Sequence, residues 1–405
     1  MNLLTDGLQS NAVIPTDISR KLTIGGITRI YPVYKIRLDM LFYNDQNDRI
    51  ATWLSQYRTD HQGSDPALAQ REEYNAIIER FVIQSNPAAI AKTKENIREV
   101  DQREPAVVLY DGRIIDGNRR YTCLRLLAEE NDKFNYLEAI ILDPTVGNNT
   151  KQIKMLELTI QHGEEGKVDY NPVDILVGLY HDVVETRLLT VIEYARSINE
   201  KPGNVRKKLE VAQLMVEYLE FINAPKQFHI VRDLQLYFPL EELSKLLKKC
   251  QSNEAAEDLK VCVFTNILMR TSSDLGRFVR RFKDVMSTPY YDEYVEEQKE
   301  IAAQVLDSLP PVGSVNTTTI RETVKSNEGL SQALERSMEK ALVKAHKDES
   351  QNRPMEILEN AENLIESVTF DMFDGSTEDD IENVRLKIKD IFKSLNKLSD
   401  YLGEN

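Results

Sequence analysis

Asp116, Gly117, Asn118, Arg119 and Arg120 bring a turn former, an unhindered backbone, an amide and two guanidinium groups together in consecutive positions. Apolar Ile114-Ile115 precedes them, and Tyr121-Thr122-Cys123-Leu124-Arg125-Leu126-Leu127 follows. The pattern predicts a strand, a tight turn and a helix start. Glycine at such a turn lets backbone approach a ligand closely. The free N–H groups and the positive end of the helix dipole favour an anion there. Two arginines add forked donors matched to phosphate oxygens. The plainer alternative is a strand-turn-helix joint with two surface arginines.

A second polar stretch lies upstream. Val33-Tyr34-Lys35-Ile36-Arg37-Leu38-Asp39 alternates as a strand does, Asn44-Asp45-Gln46-Asn47-Asp48-Arg49 follows, and Ile50-Ala51-Thr52-Trp53-Leu54 reads as helical. Farther on, Glu104-Pro105-Ala106-Val107-Val108-Leu109 reads as a Pro-started strand. Asp111-Gly112 then signals a hairpin turn that returns the chain through Arg113 to the Asp116–Arg120 stretch.

This arrangement resembles the N-terminal domain of the ParB family, which shares its fold with sulfiredoxin. In that family an Asn-Pro-x-Gln-Pro-Arg box precedes a Pro-led strand, a short hairpin and a Gly-Glu-Arg-Arg box at a helix start. Asn44, Asn47 and Arg49 occupy the Asn, Gln and Arg places of the first box, with Asp45 and Asp48 replacing both prolines. Gly117, Arg119 and Arg120 match the second box, and Asn118 stands where the family has Glu. The Asp-Gly-Asn-Arg-Arg spelling looks like a branch of ParB-like proteins outside chromosome partition. Sulfiredoxins carry a catalytic cysteine at the place of Asn118, so their chemistry is not carried over. The resemblance implies an NTP bound through its phosphates; the candidate residues are Asn44, Asn47, Arg49, Asp116, Gly117, Asn118, Arg119 and Arg120, and Mg²⁺ is a candidate accompanying ion. The family's acidic residue is missing, which leaves hydrolysis undecided.

The chain has 405 residues, enough for two or three domains. Its formal net charge of −15 argues against coating nucleic acid by bulk electrostatics, but leaves room for a local basic face or a basic partner. No apolar run is long enough to span a membrane. Residues 1–16 have neither the basic start nor the apolar core of a signal peptide. Cys123, Cys250 and Cys262 are widely spaced, which suggests neither a disulfide framework nor a zinc site. Cytoplasmic residence follows as the default. The five histidines are scattered and offer no metal spacing. Cys123 in the motif helix reads as a small buried hydrophobe, and Trp53, Tyr290 and Tyr291 read as packing residues.

The expected fold class is an α+β first domain, residues 23–150, followed by mostly α-helical domains. Ala139-Ile140-Ile141-Leu142 reads as its last strand, and residues 70–82 as a helix inserted into the compact family domain. Residues 151–307 form the expected helical region. Residues 153–162 are helical and are followed by a break at Gly163 and Gly166. Asn171-Pro172-Val173-Asp174 then reads as an N-cap with Pro at the first helical position and Asp174 reaching back. Residues 189–198, a break at Asn199-Glu200-Lys201-Pro202-Gly203 and a helix over 204–211 have the proportions of a helix-turn-helix. Ala195, Ile198, Val205 and Leu209 are its expected core. Between Arg187 and Lys208 six basic residues face two acidic ones, a local balance of +4. That contrast favours a nucleic-acid face made by Arg196, Lys201, Asn204, Arg206, Lys207 and Lys208; the alternative is an αα-hairpin with a solvated basic surface. ParB proteins likewise place an Asn-Pro-led helix and a helix-turn-helix after the nucleotide domain.

Arg277, Arg280, Arg281 and Lys283 interleave with Phe278, Val279 and Phe282 as an amphipathic helix would require; the alternative is a basic face that touches phosphates. Ser308-Leu309-Pro310-Pro311-Val312-Gly313-Ser314 reads as a linker. A third, helical domain is expected over 319–405. Within it Ile381, Val384, Ile388, Ile391, Leu395, Leu398 and Leu402 alternate three and four apart, and Ser376 with Asp379 is placed to cap their helix. Such a seam predicts either a homodimer or packing within its own bundle.

The leading expectation is therefore a nucleotide-responsive DNA-binding protein that forms a homodimer. Two alternatives stand beside it. One is an NTPase or nuclease with Asp116 or Glu129 on Mg²⁺. The other is a non-catalytic assembly component of a phage-defence or mobile-element system.

Overall fold

The computed structural model describes residues 2–162, 171–270 and 273–403. A five-stranded mixed sheet comes first, then helices. β1 (Val13–Ile24) and β2 (Ile27–Arg37) form an antiparallel hairpin. β2 pairs antiparallel with β5 (Tyr136–Leu142), which runs parallel to β3 (Ala106–Leu109). β3 pairs antiparallel with β4 (Ile114–Asp116), closing the order β1-β2-β5-β3-β4. Three helices fill the connection from β2 to β3: α1 (Ala51–Asp60), α2 (Arg71–Ser85) and α3 (Pro87–Val100). α4 (Asn118–Ala128) joins β4 to β5.

β3, β4 and β5 alternate as the part of a sheet buried on both faces must. Ala106, Val108, Ile114, Ala139 and Ile141 face one core with Ile78, Ile90 and Cys123. Val107, Leu109, Ile115, Ile140 and Leu142 face another core. After a short turn, α5 (Pro144–Gly147), this second face is covered by α6 (Thr150–His162) through Ile153, Leu156 and Ile160. Packing therefore runs straight through the expected domain boundary at 150. The expected start at 23 likewise falls inside β1. Leu3 is already buried and its N–H donates to the Tyr110 carbonyl at 2.8 Å. β1 escapes a period-two reading because only Val13 and Leu22 along it are buried.

The helical region continues with α7 (Pro172–Tyr180), α8 (Val191–Ser197), α9 (Pro202–Phe221) and α10 (Phe228–Asp233). α11 (Tyr237–Leu247), α12 (Asn253–Met269), α13 (Leu275–Met286), α14 (Tyr291–Asp307) and α15 (Thr317–Ser326) follow. The break at Gly163 and Gly166 lies outside the described residues. Asn171 caps α7 as expected, accepting from the Val173 N–H at 2.9 Å. Asp174 does not reach back to it; its buried carboxylate accepts from the Thr52 N–H at 3.1 Å and fastens α7 to α1. Phe278, Val279 and Phe282 of α13 are buried, as the amphipathic pattern requires.

The chain divides into two compact units, Met1–Glu339 and Lys340–Asn405. The expected linker at 308–314 is a hydrogen-bonded loop inside the first unit. Gly313 donates its N–H to the Asn223 carbonyl at 2.9 Å, and Asn223 Nδ2 donates to the Pro310 carbonyl at 3.1 Å. Proline and glycine mark a change of direction, and a turn pinned by hydrogen bonds has the same local spelling as a tether. α16 (Glu328–Glu366) crosses the division, and α17 (Glu378–Gly403) belongs to the second unit. The cap of α17 sits one residue later than expected: Thr377 Oγ1 accepts from the Asp380 N–H, and Asp380 Oδ2 accepts from the Thr377 N–H. None of the α17 residues is buried. Among the described residues no helix is long and apolar enough to cross a membrane.

Candidate functional site: a pocket where the two polar boxes meet

The first box is shaped by its own amides. Asn44 Oδ1 accepts from the Gln46 N–H and Asn47 Oδ1 from the Arg49 N–H, both at 3.1 Å. Each is a short side-chain turn that reverses the backbone without secondary structure. Both residues are buried, and Asn47 caps the turn Asp48–Ile50 that leads into α1. The chain just before is tied to α2 and α4. Asn75 accepts from the Tyr43 N–H at 3.2 Å and donates to the Leu41 carbonyl at 3.1 Å. The hydroxyls of Tyr43 and Thr122 meet at 2.7 Å.

The second box opens α4. Gly117 holds φ 110°, in the left-handed region, and a Cβ there would meet the Ala106 Cβ at 2.6 Å. Only glycine suits both demands. Arg120 turns back toward the sheet. It pairs with Asp116 Oδ2 at 2.7 Å and donates to the Glu104 carbonyl at 2.5 Å. It therefore closes the strand-turn-helix joint rather than facing the anion site expected of it. Asp116, a magnesium candidate, is engaged by the same bond. Glu129, the other, is exposed at the far end of α4.

Asn47 and Arg49 of the first box and Asn118 and Arg119 of the second line one pocket, with Val82, Ser85 and Asn86 completing its wall. Asn118 is only 6% exposed, and its Oδ1 has no hydrogen-bond partner. The two ends of an amide are nearly isosteric, so that position can offer an acceptor or a donor to a guest. Two arginines and three asparagines thus line one wall beside the start of α4. That set can hold an anion with several oxygens. Asn44, Asp116, Gly117 and Arg120 are not in the wall; they hold the loops that form it. Ser85 and Asn86 were missed from sequence. Asn86-Pro87 repeats the Asn-Pro start visible at 171–172, and Asn86 does cap α3 by accepting from the Ala89 N–H at 2.9 Å.

Asp48, between the two wall residues of the first box, points the other way into a buried charge cluster. Its Oδ1 lies 2.8 Å from Lys154 Nζ. Asp182 Oδ2 lies 3.5 Å and Glu157 Oε2 3.9 Å from the same nitrogen, which also donates to the Gln46 carbonyl at 3.2 Å. All four charged side chains are buried. A Cβ on Gly178 of α7 would meet the Asp48 carboxylate carbon at 2.4 Å, so glycine makes the room. Burial alone would lower the Lys154 ammonium, yet the three carboxylates hold it well above its ordinary value. Burial pushes Glu157 up to about 7 and Asp182 up to about 6, with Lys154 opposing in both cases. Burial likewise carries Asp174 up to about 7 against its Thr52 hydrogen bonds.

The helix-turn-helix expectation corresponds to α8, its turn and the start of α9. Thr190 and Glu193 form a capping box, and Tyr194, Ala195, Ile198 and Val205 share one core cluster. The second helix is longer than expected and runs through Phe221. Arg196, Lys201, Asn204, Arg206 and Lys207 are exposed. Lys208 is instead paired with Glu200 at 2.5 Å, and Glu193 is paired with Lys151 at 2.6 Å. Both acidic groups of the segment are thus neutralised locally. Cys123 and Cys262 are buried, and burial pushes each thiol up to about 12, leaving them inert at neutral pH.

Comparison with models of known families finds no match for this chain, and neither does a search of curated proteins.

The charge cluster predicts a pH dependence of stability. Glu157, Asp182 and Asp174 keep their protons to higher pH folded than unfolded, so the folded state binds more protons in between. Their contribution to stability is greatest below their ordinary range and falls as pH rises toward about 7. Thermal melts should show a decreasing midpoint across that interval. Glu157→Gln, which removes one titrating group at nearly constant shape, should flatten the decline. An equal decline in the variant would remove Glu157 from the explanation.

Proposed function

We propose that this chain is a ParB-like, nucleotide-responsive DNA-binding protein. The observation that carries the reading is the convergence of residues from both boxes on one pocket. In this reading the phosphates of an NTP sit at the start of α4, held by Arg119, the Asn118 amide and backbone N–H groups, with Arg49 closing from the first box. Gly117 supplies the turn, and Arg120 with Asp116 keeps it closed. Among the described residues no group of His, Cys, Asp and Glu is arranged to hold a metal, so Mg²⁺ is assigned to the phosphates. DNA would meet the exposed cations of α8 and α9, where the acidic neighbours are already paired. A second copy of the chain would cover the apolar stripe of α17, whose three-and-four spacing is self-complementary over about three heptads.

Arg119 and Arg120 separate site from scaffold. Arg119→Ala should weaken binding of NTP–Mg²⁺ by about 1.5–3 kcal/mol, roughly tenfold to hundredfold. Arg120→Ala should chiefly lower the melting temperature. Calorimetry against the four NTPs reads the first effect, and no heat with any of them in the wild-type protein rejects the nucleotide reading.

For DNA, Arg206→Ala with Lys207→Ala should reduce the slope of log affinity against log salt by about 0.9 for each phosphate no longer neutralised. An unchanged slope in the folded variant moves the DNA face elsewhere. Absence of any duplex binding favours the assembly-component alternative.

For self-association, sedimentation of the intact chain should give a dimer that dissociates when the chain is ended at Gly375. A monomer before truncation refutes the dimer, and a dimer after it places the interface outside α17.

A further inference from the structure

Phe238 is 64% exposed at the second position of α11, while Leu240 and Leu243 of the same helix are fully buried. Single exposed apolar residues are ordinary on protein surfaces. The surroundings of this one are not. Gly276, near the start of α13, comes so close that a Cβ on it would lie 3.8 Å from the Phe238 Cβ. From Gly276, Arg280 and Lys283 follow along one side of α13 at helical spacing, and Arg277 adjoins them. Phe278, Val279, Phe282 and Val285 are buried, which fixes that row toward solvent. Arg277, Arg280 and Lys283 are exposed and make no ion pair among the described residues. α13 carries four cations (Arg277, Arg280, Arg281, Lys283) and one anion (Asp284), a net +3 in a chain of −15.

α11 also packs against α9. Glu210 of α9 is bridged to α11 by Lys248 at 2.6 Å and by the Ser244 hydroxyl at 3.3 Å. The acidic residues one turn beyond Phe238, Glu241 and Glu242, are held by Lys245 at 3.2 and 3.0 Å. An exposed aromatic ring therefore stands beside the basic row of α13, with Lys245 shared by Glu241 and Glu242 and with Asp274 engaged in capping α13.

We infer that duplex DNA engaged by α8 and α9 is also gripped by α13, with Phe238 acting as an apolar wedge between base pairs. Arg277, Arg280 and Lys283 take phosphates, and the ring enters the groove and partly unstacks a base step. An apolar wedge between base steps kinks the duplex, and the bend brings more of its backbone against the protein surface. The inference rests on the DNA-binding reading above, but uses residues outside the helix-turn-helix.

The test uses the full-length protein and duplex DNA in anisotropy titrations at several salt concentrations, with end-to-end energy transfer reporting the bend. Arg277→Ala with Arg280→Ala should reduce the salt slope by about 0.9 for each phosphate that the variant leaves unneutralised. Phe238→Ala should reduce the bend with the slope unchanged, and Phe238→Leu, which retains an apolar wedge, should restore most of it. Wild-type slope in the double variant together with a wild-type bend in Phe238→Ala overturns the inference. If Arg206→Ala with Lys207→Ala still weakens binding in that case, the DNA-binding reading survives alone. If Phe238→Ala changes only the sedimentation of the protein, the face is a protein interface and the inference fails. If the wild-type protein binds no duplex, both fail together.

Discussion

One ammonium group holds the first unit together around its charged interior. Lys154 Nζ is the cation shared by Asp48, Glu157 and Asp182, each brought in by a different stretch of chain or turn of helix. Burying one such charge without a partner is prohibitive, and burying three carboxylates around one ammonium is stable only while they share it and keep a proton near neutrality. Removing Lys154 would leave three acids in a dry interior. Removing a single acid would leave the others still served. The arrangement thus concentrates its dependence on one side chain. Gly178 is part of the same constraint, since any side chain there would occupy the space of the Asp48 carboxylate.

That constraint is placed where the two halves of the proposed mechanism adjoin. Asp48 lies between Asn47 and Arg49, so the loop lining the pocket is the loop that the buried ammonium holds. On the other side, Asp182 accepts through its backbone carbonyl from the Leu189 N–H at 3.1 Å, one residue before the Thr190 cap of α8. Leu158 of α6 packs in the same cluster as Tyr194 and Ala195 of α8. The path from pocket wall to the first helix of the basic segment is short and densely bonded. A ligand alters such a path only by its differential affinity for two states. The cluster is a place where small changes in loop position would carry a large electrostatic cost.

What could be read from the sequence was local. Asp111-Gly112 as a hairpin, Gly117 as a turn, Asn171-Pro172 as a helix start and the cluster of Tyr194, Ala195, Ile198 and Val205 all depend on residues a few positions apart. The convergence of the two boxes was legible only through a resemblance, because nothing local says that residue 49 approaches residue 119. What escaped was long-range. Lys154 reads as a solvated helix lysine until Asp48 and Asp182 are placed against it. Arg120 and Arg119 are the same residue type side by side, and a turn of the helix sends one to Asp116 and the other to the pocket. β1 was invisible because a hairpin arm with few buried residues lacks the alternation that marks a half-buried strand.

Charge follows the same logic of local compensation. A net −15 would repel a polyanion at distance, but salt screens charges beyond about 8 Å, so what a ligand meets is the nearest pairings. Around the basic segment Lys151 and Lys208 are engaged by Glu193 and Glu200. Their contribution to the local charge is therefore to neutralise two carboxylates rather than to add outward cations. The outward-facing cations are Arg196, Lys201, Arg206 and Lys207 here, and Arg277 and Arg280 on α13. An acidic protein can present a locally basic surface in this way, because Glu193 and Glu200 beside α8 and α9 each already have a cation of their own.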